Sequence, residues 1–183
     1  AGKLNFPVIT GMYIGLSELK ADRESWIKEV LALHEQYSHI HEFTIHPYIP
    51  LDPKTMPKPA TIKNLLSTFE LARSILPDDI IVNIPSYLVD DIQPFIKAGL
   101  RDLGSVPTLE FPTIPNLTLS NFSKTTEVVQ KEGYKLQQRF PLKKQYIIEG
   151  RYSNKLGQVF DSYKYKIKKY EQQLKDKESV TKL

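Results

Sequence analysis

Two glycines and a glutamate, Gly11, Gly15 and Glu18, close an apolar segment running through residues 6–14. A strand that ends in glycines lets a bulky group such as a nucleoside lie close to its backbone, because no Cβ stands in the way. The same glycines would equally serve tight packing against a neighbour. Ile14 belongs to the same candidate wall. Glu18, just past the strand, could accept hydrogen bonds from ligand hydroxyls or favour the next helix through its dipole. Further candidates stand at the ends of later apolar segments. His46 could donate to an oxygen or move a proton near neutral pH. Tyr48 could stack on a flat ring or anchor its loop, and Asn83 could point into a barrel mouth. Asp102, beside Arg101, could hold a ligand or take part in a buried Asp–Arg pair. His34, His39, His41 and His46 fall within thirteen residues at spacings that match no zinc motif, so no metal is expected. His34 and His39 are read as surface or loop residues.

The elements that must position these groups alternate between apolar strand and amphipathic helix. Strands are expected at residues 6–14, 41–46, 80–84 and 100–106, and helices at about 22–37, 61–76, 89–98 and 121–132. Trp26, Ile27, Val30, Leu31 and Leu33 make the predicted core face of the first helix, and Leu65, Leu66, Phe69 and Ala72 that of the second. Pro77-Asp78-Asp79 breaks the second helix, and Gly99 and Gly133 stand where left-handed caps are expected. Four βα units in succession predict an α/β fold with a parallel sheet. Long loops at 47–59 and 106–120 follow strands, the end where such folds carry their sites. Four units cannot close an eight-stranded barrel, and an open set of parallel strands would leave apolar edges bare. Another copy, a partner chain or a missing N-terminal half is expected to cover them.

The chain has 183 residues, enough for a substantial core, and 40% hydrophobic with 25% charged residues is an ordinary globular balance. There is no cysteine, which excludes disulfides, thiolate metal sites and a thiol nucleophile in this polypeptide. Apolar runs such as Ile80-Ile81-Val82 are far too short to cross a bilayer, so a cytoplasmic protein without membrane contact is expected. Residues 151–183 hold nine Lys or Arg against four acids, although the whole chain carries only +4. In this tail Leu156, Phe160, Tyr163, Ile167, Tyr170 and Leu174 recur at helical spacing. It is read as a C-terminal amphipathic docking helix with a solvated basic face, in preference to a nucleic-acid surface. The expected division is 1–150 for the βα units and 151–183 for the extension.

Several segments, in order, resemble one family. Thr10-Gly11 with Ile14-Gly15 and Glu18 resembles a Gly-x-Ile-Gly-x-x-Glu strand ending. Asp22-Arg23, Leu33 through Ile40, Glu42-Phe43-Thr44-Ile45, Lys54-Thr55-Met56, Ala72 through Pro77, and Ile80 to Asn83 with Pro85 follow in register. Gly99 through Val106 resembles a Gly-x-x-Asp-x-Gly-Gly-Val segment. Together they resemble the C-terminal half of a radical S-adenosylmethionine enzyme, most closely the CofG-type subunit of 7,8-didemethyl-8-hydroxy-5-deazariboflavin synthase. The resemblance implies the C-terminal half of a (β/α)8 TIM-type barrel. Gly11, Ile14, Gly15 and Glu18 would line S-adenosyl-L-methionine, and His46, Tyr48, Asn83 and Asp102 the substrate.

Two departures qualify what is implied. The family's Cys-x-x-x-Cys-x-x-Cys loop, which holds a 4Fe-4S cluster, has no counterpart here, so the cluster could come only from a partner chain or a missing N-terminal half. His46-Pro47-Tyr48 and Leu103-Gly104-Ser105 stand where the family has Gln-Asn-Phe and Trp-Gly-Gly. Completed by the missing half, such a chain would serve coenzyme F420 biosynthesis. The implied reaction is hydrogen abstraction from a tyrosine-derived adduct of 5-amino-6-ribitylaminouracil, then ring closure with loss of ammonia. The alternative is a non-catalytic binding or scaffold subunit with a basic docking helix. If Gly15 lines the cofactor, Gly15→Val is expected to abolish cofactor binding and leave assembly intact.

Overall fold

The computed structural model describes residues 1–50, 60–104, 119–137, 139, 141–162 and 164–165. Its centre is a parallel sheet of three strands, β1 (Val8–Ile14), β2 (Ile40–Pro47) and β3 (Ile81–Asn83), in the order β1-β2-β3. Helix α1 (Lys20–Tyr37) connects β1 to β2, and α2 (Ile62–Ile75) lies between β2 and β3 in the chain. Asp22 accepts the Leu19 amide at the start of α1 (2.7 Å), and the Thr61 hydroxyl accepts the Asn64 amide at the start of α2 (3.2 Å). The βαβ rhythm of the sequence is therefore present.

Alternation along β1 sends Val8, Met12 and Ile14 towards the core, which they share with Phe43 and Ile45 of β2. Ile9, Gly11 and Tyr13 pair in register with Glu42, Thr44 and His46 on the opposite face. Ile27 and Val30 of α1 and Leu65, Phe69 and Ala72 of α2 complete the core, where Phe69 meets Phe95 edge-on at 6.1 Å. A register shift between Val8 and Ile9 leaves His41 as an extra residue in β2. Bulges of this kind re-aim side chains. Here it lets His41 and Glu42 meet although they are adjacent in the strand, with Nε2 and Oε1 3.0 Å apart.

The fourth expected strand is absent among the described residues. Residues 100–104 turn instead of extending: the Leu100 amide donates to Phe95 O (2.8 Å), and Gly104, at φ 65°, donates its amide to the Asp102 carboxylate (2.8 Å). A local Asx-type turn competes directly with a ladder. Residues 105–106 lie outside the described residues. What is observed is an α/β chain with a small parallel sheet, coarser than the expected half barrel of four βα units.

The third helix, α3 (Gln93–Lys97), is shorter than expected because Pro94 sets its first turn, with a 3-10 turn at Ser86–Leu88 before it. Gly99 (φ 101°) and Gly133 (φ 83°) take the expected left-handed positions, the latter after α4 (Leu119–Lys131). The chain continues through α5 (Lys144–Ile148). In the expected tail helix Phe160 is buried and stacks near Tyr152 at 4.7 Å, whereas Leu156 is exposed. Tyr163, Ile167, Tyr170 and Leu174 lie outside the described residues.

Two readings of α1 and its surroundings are corrected. Trp26 and Leu33 are exposed, and His34 takes their place in the buried face. The periodicity identified an apolar stripe without showing which part meets the sheet. His34 and His39, expected at the surface, are both buried. His34 Nδ1 accepts the Ile40 amide (3.3 Å), Nε2 lies 3.0 Å from Asp79, and the His39 ring meets Tyr37 edge-on.

Candidate functional site

At the C-terminal ends of β1 and β2 the Tyr48 amide donates to Ile14 O (2.8 Å), fastening one expected substrate residue to the strand expected to face a cofactor. Beyond Ile14 the chain reverses through Gly15 (φ 109°) and Ser17 (φ 72°). Glu18 closes this turn: its carboxylate accepts the Gly15 amide at 3.1 and 3.2 Å and the Leu16 amide at 2.8 Å. Arg23 Nε stands 3.3 Å from Glu18, and Arg23 Nη1 donates to the Thr68 hydroxyl (2.8 Å), tying the turn to α2. A Cβ at Gly15 would come within 2.7 Å of the Ala60 amide nitrogen, so this glycine is required by the chain's own packing. At Gly11 a Cβ would stand 2.0 Å from the Thr44 carbonyl oxygen, the tight neighbouring approach that was one of its two readings. Ile14 is buried in the core.

His46 lies beside Tyr13, its register partner, with ring centroids 5.3 Å apart. Burial holds its imidazole below the ordinary value. Roughly 13 Å back along β2, at four residues' rise, lies a second polar group. Asn83 donates to Glu42 Oε2 (2.8 Å), and Arg139 Nη2 donates to Glu42 Oε1 (2.7 Å) and to Asp102 (3.0 Å). His41 Nε2 sits between Glu42 and the Pro141 carbonyl oxygen (2.8 Å). Burial pushes the Glu42 carboxyl up, but hydrogen bonds from His41 and Arg139, with their charges, outweigh it and hold the group below its ordinary value. The same carboxylates raise Arg139 against the opposing effect of burial.

Asn83 and Asp102 are thus joined through Glu42 and Arg139, while His46, Tyr48, Gly15 and Glu18 sit at the strand ends. The Asp–Arg pair exists, with Arg139 in place of Arg101. Arg101 instead donates to the Ile96 and Leu100 carbonyls and lies over the Tyr134 ring.

Comparison with known proteins bears on what this arrangement belongs to. The chain is 33% identical over 173 residues to the 7,8-didemethyl-8-hydroxy-5-deazariboflavin synthase of Methanosarcina barkeri, covering 88% of this chain and 50% of that protein. It is 29% identical over 166 residues to the enzyme of the same name from Archaeoglobus fulgidus, covering 89% of this chain and 51% of that one. The match to the Trichormus variabilis protein is 34% over 152 residues. The chain is a homologue of these synthases. It spans about half the length of the curated relatives it matches. No family model matches the chain, and no solved structure does.

For a homologue of these synthases, the residues that sequence reasoning passed over are informative. Glu42 carried a signal, since a carboxylate inside an apolar strand is buried only when paired. Arg139 carried none: it stands 97 positions from Glu42, in a polar stretch. Tyr13 lay inside the candidate motif and was not singled out. The chain's donor set does not fit an iron–sulfur cluster, because no cysteine is available. No group of three or more His, Asp or Glu that could hold a metal occurs among the described residues. No helix among them is long and apolar enough to cross a membrane.

Proposed function

We propose that this chain is the cluster-lacking, C-terminal part of a radical S-adenosylmethionine synthase that forms a deazaflavin, acting in coenzyme F420 biosynthesis. The observation that supports this most directly is homology along nearly nine tenths of the chain to only half of each synthase. In this reading an N-terminal half, carried by another chain or a further segment, holds the 4Fe-4S cluster that activates S-adenosyl-L-methionine. This chain's part is to bind and orient. Gly11 and Ile14 hold the cofactor-facing strand flat against its neighbour, and Gly15 with Glu18 shapes the turn beyond it. His46, neutral at physiological pH, and Tyr48 stand on the substrate side with Tyr13. Asn83 and Asp102 contribute through the Glu42–Arg139 network, which holds them in place. The substrate in this reading is the tyrosine-derived adduct of 5-amino-6-ribitylaminouracil, and the chain works in the cytoplasm without nucleic acid.

The test is co-expression with a short chain bearing Cys-x-x-x-Cys-x-x-Cys, followed by anaerobic reconstitution. A brown complex that releases 5′-deoxyadenosine and yields a fluorescent deazaflavin is expected. Absence of a complex, or a complex without cluster and cleavage, overturns the enzyme reading in favour of a non-catalytic binding subunit.

A further inference from the structure

Of the chain's four histidines, three are occupied within the fold. His34 accepts the Ile40 amide and faces Asp79, His41 lies between Glu42 and Pro141, and His39 is buried against Tyr37. His46 differs. It is half-buried, and neither of its ring nitrogens is hydrogen-bonded by another described residue. Its partial removal from water is therefore uncompensated until a ligand supplies a hydrogen bond. Two tyrosines accompany it at the C-terminal ends of the strands. Tyr13, its register partner on β1, is 58% exposed, with its ring 5.3 Å from the imidazole and tilted by 33°. Tyr87 lies in the turn after β3, on the other side of β2 in the sheet order. Burial pushes the Tyr87 phenol up and Tyr13 adds to that, so the two phenols act on each other across the end of β2. This is the end of a parallel sheet at which ligands bind.

We infer that Tyr13, His46 and Tyr87 form a subsite for a phenol ring, in which the ligand stacks on Tyr13 and its hydroxyl hydrogen-bonds the His46 imidazole. The inference rests on the reading above and specifies which part of the substrate meets this strand end: the tyrosine-derived ring, in preference to the pyrimidine. The residue type at position 46 supports that choice, since a glutamine stands there in the family that the sequence resembles. A glutamine presents a donor and an acceptor side by side, the pattern that matches the N–H and C=O edge of a pyrimidine. The two nitrogens of an imidazole point in different directions, so one of them faces a given ligand, which suits a single hydroxyl. Tyr13 offers an open face on which an aromatic ring packs. Tyr87 adds a second phenol beyond β2, so a ring held at His46 has aromatic groups on both flanks. Such a site distinguishes a phenol from a plain phenyl ring, because a ligand without the hydroxyl would shield the imidazole from water and leave it unpaired.

The probes are the tyrosine-derived adduct of 5-amino-6-ribitylaminouracil and its phenylalanine-derived counterpart, which lacks only the hydroxyl. Both would be titrated by calorimetry into the chain alone and into its complex with the N-terminal half. With four histidines in the chain, the His46 imidazole can also be followed by NMR, assigned from the signals lost in His46→Gln. The hydroxylated adduct is expected to bind at least about tenfold tighter, with a shift of the His46 signals that the phenylalanine-derived adduct does not produce. His46→Gln should reduce that preference to below about threefold, and Tyr13→Ala should weaken both adducts about fivefold. The comparison of the two adducts on the unaltered chain does not depend on any variant folding. Equal affinity for the two, or a preference that His46→Gln leaves intact, overturns the subsite and leaves the half-enzyme reading to stand on cluster assembly and cofactor cleavage. Binding of neither adduct, by chain or complex, also overturns the subsite. A preference shown by the lone chain where no complex forms upholds the subsite and overturns the half-enzyme reading.

Discussion

Glu18 accepts hydrogen bonds from the Gly15 and Leu16 amides and faces Arg23, so most of the acceptor sites of its carboxylate are used by this chain. Its effect on a cofactor would therefore pass through the turn that it holds. Gly15→Val is a poor probe of such an effect: the φ of 109° and the 2.7 Å approach to Ala60 would strain the turn whether or not a cofactor binds. Glu18→Ala leaves the backbone conformation accessible and removes only the acceptor. Amide exchange at Gly15 and Leu16 is expected to rise about tenfold by mass spectrometry or NMR. Unchanged exchange would mean that the turn stands without its carboxylate. Arg139 has a comparable part at the other polar group, since one guanidinium spans two carboxylates from elements far apart in the chain.

At the scale of elements, the contact between β1 and β2 depends on the absence of a side chain at Gly11. Any Cβ there would stand 2.0 Å from the Thr44 carbonyl oxygen, and because that neighbour is backbone the strands themselves must move. Gly11→Ala is accordingly expected to destabilise the chain by about 2 kcal/mol, read from the urea midpoint. A loss below about 0.5 kcal/mol would show that the strands separate easily. Glycine's two sequence readings, ligand approach and strand approach, could not be separated from the glycine alone. Both need a missing Cβ, and only the position of the neighbour distinguishes them.

For the whole molecule, burial holds both His39 and His46 below the ordinary imidazole value. The unfolded chain then binds more protons than the folded one as pH falls through the histidine range, so stability rises with pH there. The urea midpoint is expected to fall between about pH 7.5 and about pH 5.5, and His39→Asn/His46→Asn should flatten that slope. An equal slope in the double variant would assign the dependence to other groups.

By itself the sequence determined the alternation of strand and helix, the capping positions of Gly99 and Gly133, and the kinship with the synthases. These are local or collinear properties: periodicity, turn chemistry and ordered motifs are written along the chain. Only the tertiary structure decided that His34 lies inside while Trp26 lies outside, that residues 100–104 turn back on Asp102, and that Glu42 meets Arg139. A repeating pattern shows which residues share a face and not which neighbour that face meets, and a pairing across 97 positions leaves no trace in local spacing.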